Sequence, residues 1–280
     1  MNPLNRNLLK YIQKAYGRVS GIEARKLYSQ IDFANNEVDE KTKIISELQI
    51  RLNSRSTRLH DFVQEALGLA VANLQIDSTY SSNQEMNYLA GNFTEYGSDK
   101  ETRHSYSASY SNILKKFENP AILEIGLGSH NKYPYAGLAP GGSIKAWRKA
   151  YPQALIIGAD IDPMSVAEID ELGFVVDQTS EVSLDSFVAN IANWGKFDLI
   201  VDDGFHDVHA NLRTLQKLLS FLSSSGAYVI EDVHESLVNL WKLISLTIPA
   251  HMEIKDLRSE RPDIDDNILL IFRNYEPEES

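Results

Sequence analysis

From residue 120 onward, short apolar runs alternate with segments of helix length, and this alternation limits the folds open to the chain. Several runs are apolar throughout, as parallel strands covered on both faces must be. The runs cover residues 121–125, 155–161, 174–176, 197–202 and 227–231. The segments of helix length cover residues 142–150, 164–172, 184–194 and 208–222. Strands alternating with helices predict an α/β fold with a doubly wound, mostly parallel sheet, and residues 253–257 and 268–273 could add a closing hairpin.

The part of the chain before this sheet has a different character. Residues 5–72 contain no proline, and their apolar side chains recur at helical spacing. Between residues 45 and 69 these side chains fall on the two apolar seams of a heptad repeat. Residues 1–76 are therefore predicted to form a helical N-terminal region, either a cap on the α/β domain or an oligomerisation arm. Residues 77–119, polar and aromatic, are interpreted as a connecting and lid segment before the domain at 120–280.

Composition excludes several classes of partner and chemistry. The formal net charge of −12 opposes binding to a phosphate backbone, so no nucleic-acid partner is expected. The absence of cysteine removes disulfides, a thiol nucleophile and a thiolate metal site. Neither a signal peptide nor an apolar run of membrane-spanning length is recognisable, which favours a cytoplasmic protein without a membrane partner.

The turn after the first predicted strand indicates a ligand site. Gly126 and Gly128 stand where glycine lets the backbone pass close to a ligand. A dinucleotide fingerprint would require a third glycine where Asn131 stands, so a nicotinamide cofactor is disfavoured. The second strand ends at Asp160, whose carboxylate can accept hydrogen bonds from two ribose hydroxyls. Ordinary turn glycines and surface acids are the alternative explanation of this pattern.

Further polar residues near this turn favour a positively charged cofactor. Glu124 in the first strand adds negative charge that suits a sulfonium better than a pyrophosphate. Asp177 and Gln178 follow the third strand, where their side chains could reach an adenine edge. These features resemble class I S-adenosylmethionine methyltransferases, which have a Rossmann-like fold. The resemblance implies that Gly126 and Gly128 line the methionine portion, that Asp160 binds the ribose and that Asp177 lies near the adenine.

The next two predicted strands end in acidic residues that are expected to converge. Asp203 follows the fourth strand, and Glu231 and Asp232 close the fifth. Three clustered carboxylates repel one another unless they are protonated or bridged by a cation, and oxygen ligands suit Mg²⁺ or, in its place, Mn²⁺. His206 lies close enough in sequence to remove a hydroxyl proton at the same site.

Each of these assignments has an alternative. Asp203 or Asp232 could be only a helix N-cap. His209 and His234 are other candidates for the base, and His104 in the lid segment could touch cofactor or substrate.

A narrower resemblance rests on five short segments, at residues 96–100, 104–106, 142–147, 202–206 and 228–232. Together they resemble the metal-dependent sugar O-methyltransferases of macrolide biosynthesis, the mycinamicin and macrocin type, and are similar to cephalosporin-cluster methyltransferases. The resemblance covers roughly residues 90–235. It implies Asp203, Glu231 and Asp232 as metal ligands, His206 as the base, and a homo-oligomer. Phe205 departs from the pattern, since a serine is usual there, so a different substrate pocket is expected.

The sequence therefore predicts an S-adenosylmethionine- and Mg²⁺-dependent O-methyltransferase acting on a hydroxyl of a sugar, glycan or other small metabolite. Two alternatives stay open at this point. One is a metal-free methyltransferase acting on nitrogen or a carboxylate. The other is a non-enzymatic assembly protein in which the helical arm is the working part.

Overall fold

A computed structural model describes residues 87–128, 139–169 and 172–274 of the chain. These residues belong to one compact unit, Ala66–Ser280. The predicted helical region at 1–76 and most of the turn that contains Asn131 lie outside the described residues, so the predictions made for them stay predictions.

Eight α-helices and seven strands form within the described residues. The helices are α1 Ala90–Glu95, α2 Asp99–Thr102, α3 Ser107–Leu114, α4 Gly142–Ala150, α5 Pro163–Ala167, α6 Glu181–Ile191, α7 Val208–Leu218 and α8 Val238–Ser245. The strands are β1 Ala121–Ile125, β2 Leu155–Asp160, β3 Gly173–Val175, β4 Phe197–Asp202, β5 Leu222–Ile230, β6 His251–Asp256 and β7 Ile268–Arg273. Short 3₁₀ turns follow α6 and α7 and precede α8. None of these helices combines the length and the apolar composition that crossing a bilayer requires.

The strands form one seven-stranded sheet in the order β3-β2-β1-β4-β5-β7-β6. Strands β1 to β5 pair in parallel, whereas β7 runs antiparallel to both β5 and β6. The predicted doubly wound, mostly parallel sheet is confirmed. The strand order reverses between β1 and β4, and ligands of such sheets bind in the crevice beyond the carboxyl ends of the strands at that point.

Alternate residues of the strands serve two separate hydrophobic cores. Leu123 of β1 and Ile200 of β4 pack in one core with Leu215 of α7, and Ile122 and Val201 pack in the other with residues of α1, α3 and α4. Successive side chains of a strand point to opposite faces, so the sheet is covered by helices on both sides. This explains why the parallel strands are apolar throughout.

The observed elements differ from the predicted ones in three places. Strand β5 begins at Leu222, five residues before the predicted start at 227, because Ser223 and its serine neighbours read as a turn. Helices α1 to α3 occupy much of the segment interpreted as a connection. Helix α8 was not predicted, and β7 lies between β5 and β6 rather than at the edge of the sheet.

The turn after β1 is pressed against the end of β4. The Asp203 amide donates to the Ile125 carbonyl at 2.8 Å, and the Gly126 amide donates to the Ala159 carbonyl at 2.8 Å. Gly126 has a φ of +95°, and a Cβ at this position would lie 1.9 Å from the Asp203 carbonyl oxygen. Glycine is therefore required at 126 for contact within the protein, besides any approach to a ligand.

We expect Gly126→Ala to destabilise the protein by at least about 1–3 kcal/mol, because the added methyl clashes with backbone and the φ disfavours alanine. Gly91→Ala is the control, since Gly91 lies in α1 with nothing within 4 Å of an added Cβ. Alanine should be neutral or stabilising there by about 0.5–1 kcal/mol. Chemical denaturation of both variants measures the difference, and equal stabilities would contradict the close packing of the two turns.

Candidate functional site

A cavity of about 470 Å³ opens at the carboxyl ends of the parallel strands. It lies at the reversal of strand order, where a ligand is expected. Seven of the predicted site residues line it: Gly126, Gly128, Asp160, Asp177, Gln178, Asp203 and His206. Glu124, Glu231 and Asp232 are not among the lining residues. The predicted residues thus divide into a group at the cavity and a group beside it.

Backbone hydrogen bonds hold Asp160 at the end of β2. One carboxylate oxygen accepts from the Leu127 amide at 2.7 Å, and the other accepts from the Asp162 amide at 2.8 Å. Each oxygen keeps a free lone pair for a further donor. Asp160 therefore ties the glycine turn to β2 and presents a fixed carboxylate to the cavity.

Asp177 and Gln178 make different contacts beyond β3. The carboxylate of Asp177 accepts hydrogen bonds from the hydroxyl and the amide of Thr179, which lower its pKa. The side-chain amide of Gln178 donates to Asp202 at 2.6 Å and accepts from the Phe205 amide at 2.9 Å. Gln178 is thus an anchor for the loop after β4, and its predicted contact with an adenine stays a prediction.

Two acidic side chains and one imidazole meet at the edge of the cavity. Ligand atoms of Asp203, His206 and Asp232 all lie within 4.8 Å of one another. The Nε2 atom of His206 is 3.5 Å from Asp203 Oδ1, and its Nδ1 atom is 3.6 Å from Asp232 Oδ2. We call Asp203, His206 and Asp232 the ion cluster, because its oxygen and nitrogen atoms could hold a divalent cation.

The backbone at this cluster is unusual. Among the described residues, the non-glycine residues with positive φ are His206, at 55°, and Asp232, at 52°. A left-handed conformation costs a residue with a Cβ about 1–2 kcal/mol, and such residues concentrate at functional sites. Both left-handed residues belong to the ion cluster, so local stability is sacrificed where these two side chains are aimed.

Beside the ion cluster, Lys100 is surrounded by carboxylates. Its ammonium lies 2.7 Å from Asp203 Oδ2, 2.7 Å from Glu231 Oε2 and 3.2 Å from Glu124 Oε1. Burial would lower the pKa of Lys100, but the surrounding carboxylates raise it well above its usual value. Burial likewise opposes ionisation of Asp203, but Lys100 and His206 bring the pKa of Asp203 below its usual value. Lys100 is therefore a permanent charge of this site that the sequence did not identify.

Glu124 and Glu231 are oriented towards Lys100 rather than into the cavity. Both are buried. Glu231 also accepts a hydrogen bond from the Tyr110 hydroxyl, and Glu124 accepts one from the Trp147 indole at 2.7 Å. Burial raises the pKa of both carboxyls. The predicted roles of Glu231 as a metal ligand and of Glu124 as a cofactor contact stay predictions, and for Glu231 an ion would have to share the carboxylate with Lys100.

Asp232 is held from the side away from the cavity. Its Oδ1 atom accepts from the Tyr106 hydroxyl at 2.8 Å and lies 3.3 Å from His104 Nε2. Burial and the charge of Asp203 raise the pKa of Asp232 to about 7. His104 is itself only 2% exposed, and burial lowers its pKa. The alternative that His104 touches the substrate is therefore disfavoured, since its ring is enclosed by protein.

The alternatives raised for the other residues also find answers. Asp207, not Asp203, caps α7 by accepting from the amides of His209 and Ala210. His234, not Asp232, caps the 3₁₀ turn before α8. The ring of His234 contacts Ser236 and Asp265 on the surface, so His206 is the histidine of this set that joins the ion cluster.

The chain is similar to enzymes that methylate sugars of natural products. It is 33% identical over 151 residues to an 8-demethyl-8-alpha-L-rhamnosyl tetracenomycin-C 2'-O-methyltransferase of Streptomyces olivaceus, over 53% of this chain and 38% of that one. It is 34% identical over 134 residues to a mycinamicin VI 2''-O-methyltransferase of Micromonospora griseorubida, over 46% of this chain and 32% of that one. The chain thus spans well under half the length of these curated relatives. No model of a known protein family matches it.

Solved structures agree on the fold. The MycE methyltransferase of mycinamycin biosynthesis, solved with Mg, S-adenosylhomocysteine and mycinamycin VI, superposes with a TM-score of 0.51 at 21% identity. The match covers 70% of this chain and 57% of that one. The chain therefore has the Rossmann-like fold of class I methyltransferases, as predicted.

We expect His206→Gly to raise the free energy of unfolding by roughly 0.5–1 kcal/mol, because glycine adopts a left-handed φ without steric cost. His209→Gly is the matched control, because His209 is exposed in the first turn of α7 and glycine should cost about 0.5–1 kcal/mol there. Urea denaturation in the presence of EDTA compares the two variants. Equal losses of stability would show that His206 is not left-handed in solution.

Proposed function

We propose that this chain is an S-adenosylmethionine-dependent, divalent-metal-dependent O-methyltransferase acting on a hydroxyl of a sugar or other small metabolite. The observation that carries the proposal is the ion cluster itself. Two carboxylates and an imidazole converge within 4.8 Å at the edge of a cavity located where this fold binds ligands. The similarity to sugar O-methyltransferases over about half of the chain supports the same activity.

The cavity suits a nucleoside with a positively charged, flexible extension. In our proposal the fixed carboxylate of Asp160 accepts hydrogen bonds from the ribose hydroxyls. Ile161 and Phe205 line the cavity with exposed apolar side chains that could cover an adenine, with Asp177 at its edge. Gly126 and Gly128 leave room for the methionine portion. When bound, S-adenosylmethionine supplies a methyl group already activated by a positive sulfur.

The ion cluster fits Mg²⁺ or Mn²⁺. Carboxylate oxygens are the ligands these hard cations prefer, and Asp203 and Asp232 each turn one oxygen towards the other members of the cluster. Glu231 would complete the set by sharing its carboxylate with Lys100. A bound divalent ion would lower the pKa of an acceptor hydroxyl and help orient it. The net negative charge of this edge of the sheet is what such an ion neutralises.

His206 is the residue we assign as general base. It lines the cavity, is partly exposed and stands between the two carboxylates, so it can face an acceptor beside them. Its imidazole takes the proton of the acceptor hydroxyl as the new C–O bond forms and the S–C bond of the donor breaks. The carboxylates beside it stabilise the imidazolium that results. Positioning of donor and acceptor supplies much of the rate gain.

We expect the chain to bind Mn²⁺ and S-adenosylhomocysteine at separate places in the same site. Replacing both Asp203 and Asp232 by asparagine should abolish Mn²⁺ binding, because the charges that hold the ion are lost, while S-adenosylhomocysteine still binds. Isothermal titration calorimetry measures both affinities. Binding of S-adenosylhomocysteine without Mn²⁺ would favour a metal-free methyltransferase, and binding of neither would favour an assembly protein.

We expect methyl transfer to depend on both the ion and His206. A suitable assay uses labelled S-adenosylmethionine with rhamnosyl tetracenomycin and mycinamicin VI, the acceptors that the relatives' names suggest. Activity should fall to background in EDTA and return with Mg²⁺. His206→Gln should lower turnover about 10²–10⁴-fold with unchanged affinity for S-adenosylhomocysteine, whereas His209→Gln should be fully active. Full activity of His206→Gln would assign the base elsewhere.

A further inference from the structure

The two carboxylates of the ion cluster are each held by one oxygen only. Asp203 receives a hydrogen bond from Lys100 on Oδ2, while its Oδ1 atom faces His206. Asp232 receives a hydrogen bond from Tyr106 on Oδ1, while its Oδ2 atom faces His206. In both residues the inner oxygen is occupied by a donor of the protein and the outer oxygen is turned towards the cluster.

We propose that Lys100, His104 and Tyr106 are positioning residues that fix these two carboxylates so that one oxygen of each is presented to the divalent ion. This inference rests on the proposed function, because it supposes that an ion binds at the cluster. The three residues would act through Asp203 and Asp232 without touching the ion themselves. Donors of this kind orient metal ligands and raise the affinity of a site.

The three donors belong to one rigid piece of chain. Lys100 lies in α2, and His104 and Tyr106 lie in the turn between α2 and α3. The Tyr106 amide donates to the Lys100 carbonyl at 2.9 Å, and the rings of His104 and Tyr106 stack with centroids 4.7 Å apart. Because each side chain is at most 2% exposed, none can swing away into solvent. A single short segment therefore sets the direction of two carboxylates that follow different strands.

Stability alone does not account for this arrangement. Burying an ammonium and several carboxylates costs more than burying apolar side chains of the same volume. The Nδ1 atom of His104 is buried and finds no hydrogen-bond partner among the described residues, which costs about 1–3 kcal/mol. A polar arrangement that costs stability in this way is expected where the geometry of the carboxylates matters.

Tyr106 offers the cleanest test. Removing Lys100 would also remove a positive charge beside the ion, which by itself strengthens cation binding, so the two effects would oppose each other. Tyr106→Phe removes one hydroxyl, keeps the stacked ring and changes no formal charge. Tyr228→Phe is a matched control, because Tyr228 is equally buried and donates at 2.9 Å to Asp202, a carboxylate outside the ion cluster.

The experiment is titration of the full chain and both variants with Mn²⁺, followed by calorimetry, with S-adenosylhomocysteine affinity and thermal unfolding measured in parallel. Tyr106→Phe should weaken Mn²⁺ binding by about 10–100-fold. Tyr228→Phe should lose similar stability and keep its Mn²⁺ affinity. Both variants should bind S-adenosylhomocysteine as the unsubstituted chain does.

Unchanged or tighter Mn²⁺ binding by Tyr106→Phe would overturn the positioning role, since the hydroxyl would then be neutral or a competitor for the carboxylate. The same loss of affinity in Tyr106→Phe and Tyr228→Phe would also overturn it, because the effect would then follow general destabilisation. Failure of the unsubstituted chain to bind Mn²⁺ is a different result. It would remove the ion from the proposed function, and this inference with it.

Discussion

The crowding of negative charge at one edge of the sheet is the constraint on which the rest of the site depends. Glu124 of β1, Asp203 after β4, and Glu231 and Asp232 after β5 all lie near one another, and Lys100 contacts three of them. Carboxylates in such a place repel one another and lose the solvation of water. One buried ammonium offsets only part of that cost, and a divalent cation at the outer oxygens would offset more.

The backbone makes this crowding possible. The turn after β1 must approach the end of β4 so closely that residue 126 cannot carry a Cβ. His206 and Asp232 take left-handed conformations that place their side chains back towards the cavity. A regular strand end would separate the acids, since parallel strands lie about 4.8 Å apart and their side chains alternate in direction. The ion cluster is thus made by turns, and the sheet supplies the rigid base from which the turns start.

Much of the fold could be predicted from the sequence, because buried parallel strands have to be apolar and their carboxyl ends share one edge. That rule also placed Asp203 and Asp232 together without any knowledge of side-chain directions. It could not show that Glu231 contacts Lys100 or that Gln178 contacts Asp202. These directions depend on partners far away in the sequence, as when Lys100 meets Asp203 across 103 positions and Tyr106 meets Asp232 across 126.

The segment before the sheet was the hardest to interpret for the same reason. Residues 96–110 are polar and aromatic, a composition typical of a surface connection, yet Lys100, Tyr106 and Tyr110 are buried against acids of the sheet edge. A polar side chain can be buried when its partner is buried with it, and the sequence of one segment does not contain the partner. Part of the candidate site was therefore predicted from the strands, and its supporting half was not.

Phe205 illustrates how such a site can keep its chemistry while its pocket changes. The loop that bears His206 is fixed through backbone: the Phe205 amide donates to Gln178, and a Cβ at Gly204 would lie 2.0 Å from the same Gln178 oxygen. The Phe205 side chain is exposed and takes no part in these contacts. A different residue at 205 would therefore reshape the cavity without displacing His206. An aromatic residue where related enzymes usually carry a serine is thus compatible with the same methyl-transfer chemistry on a different acceptor.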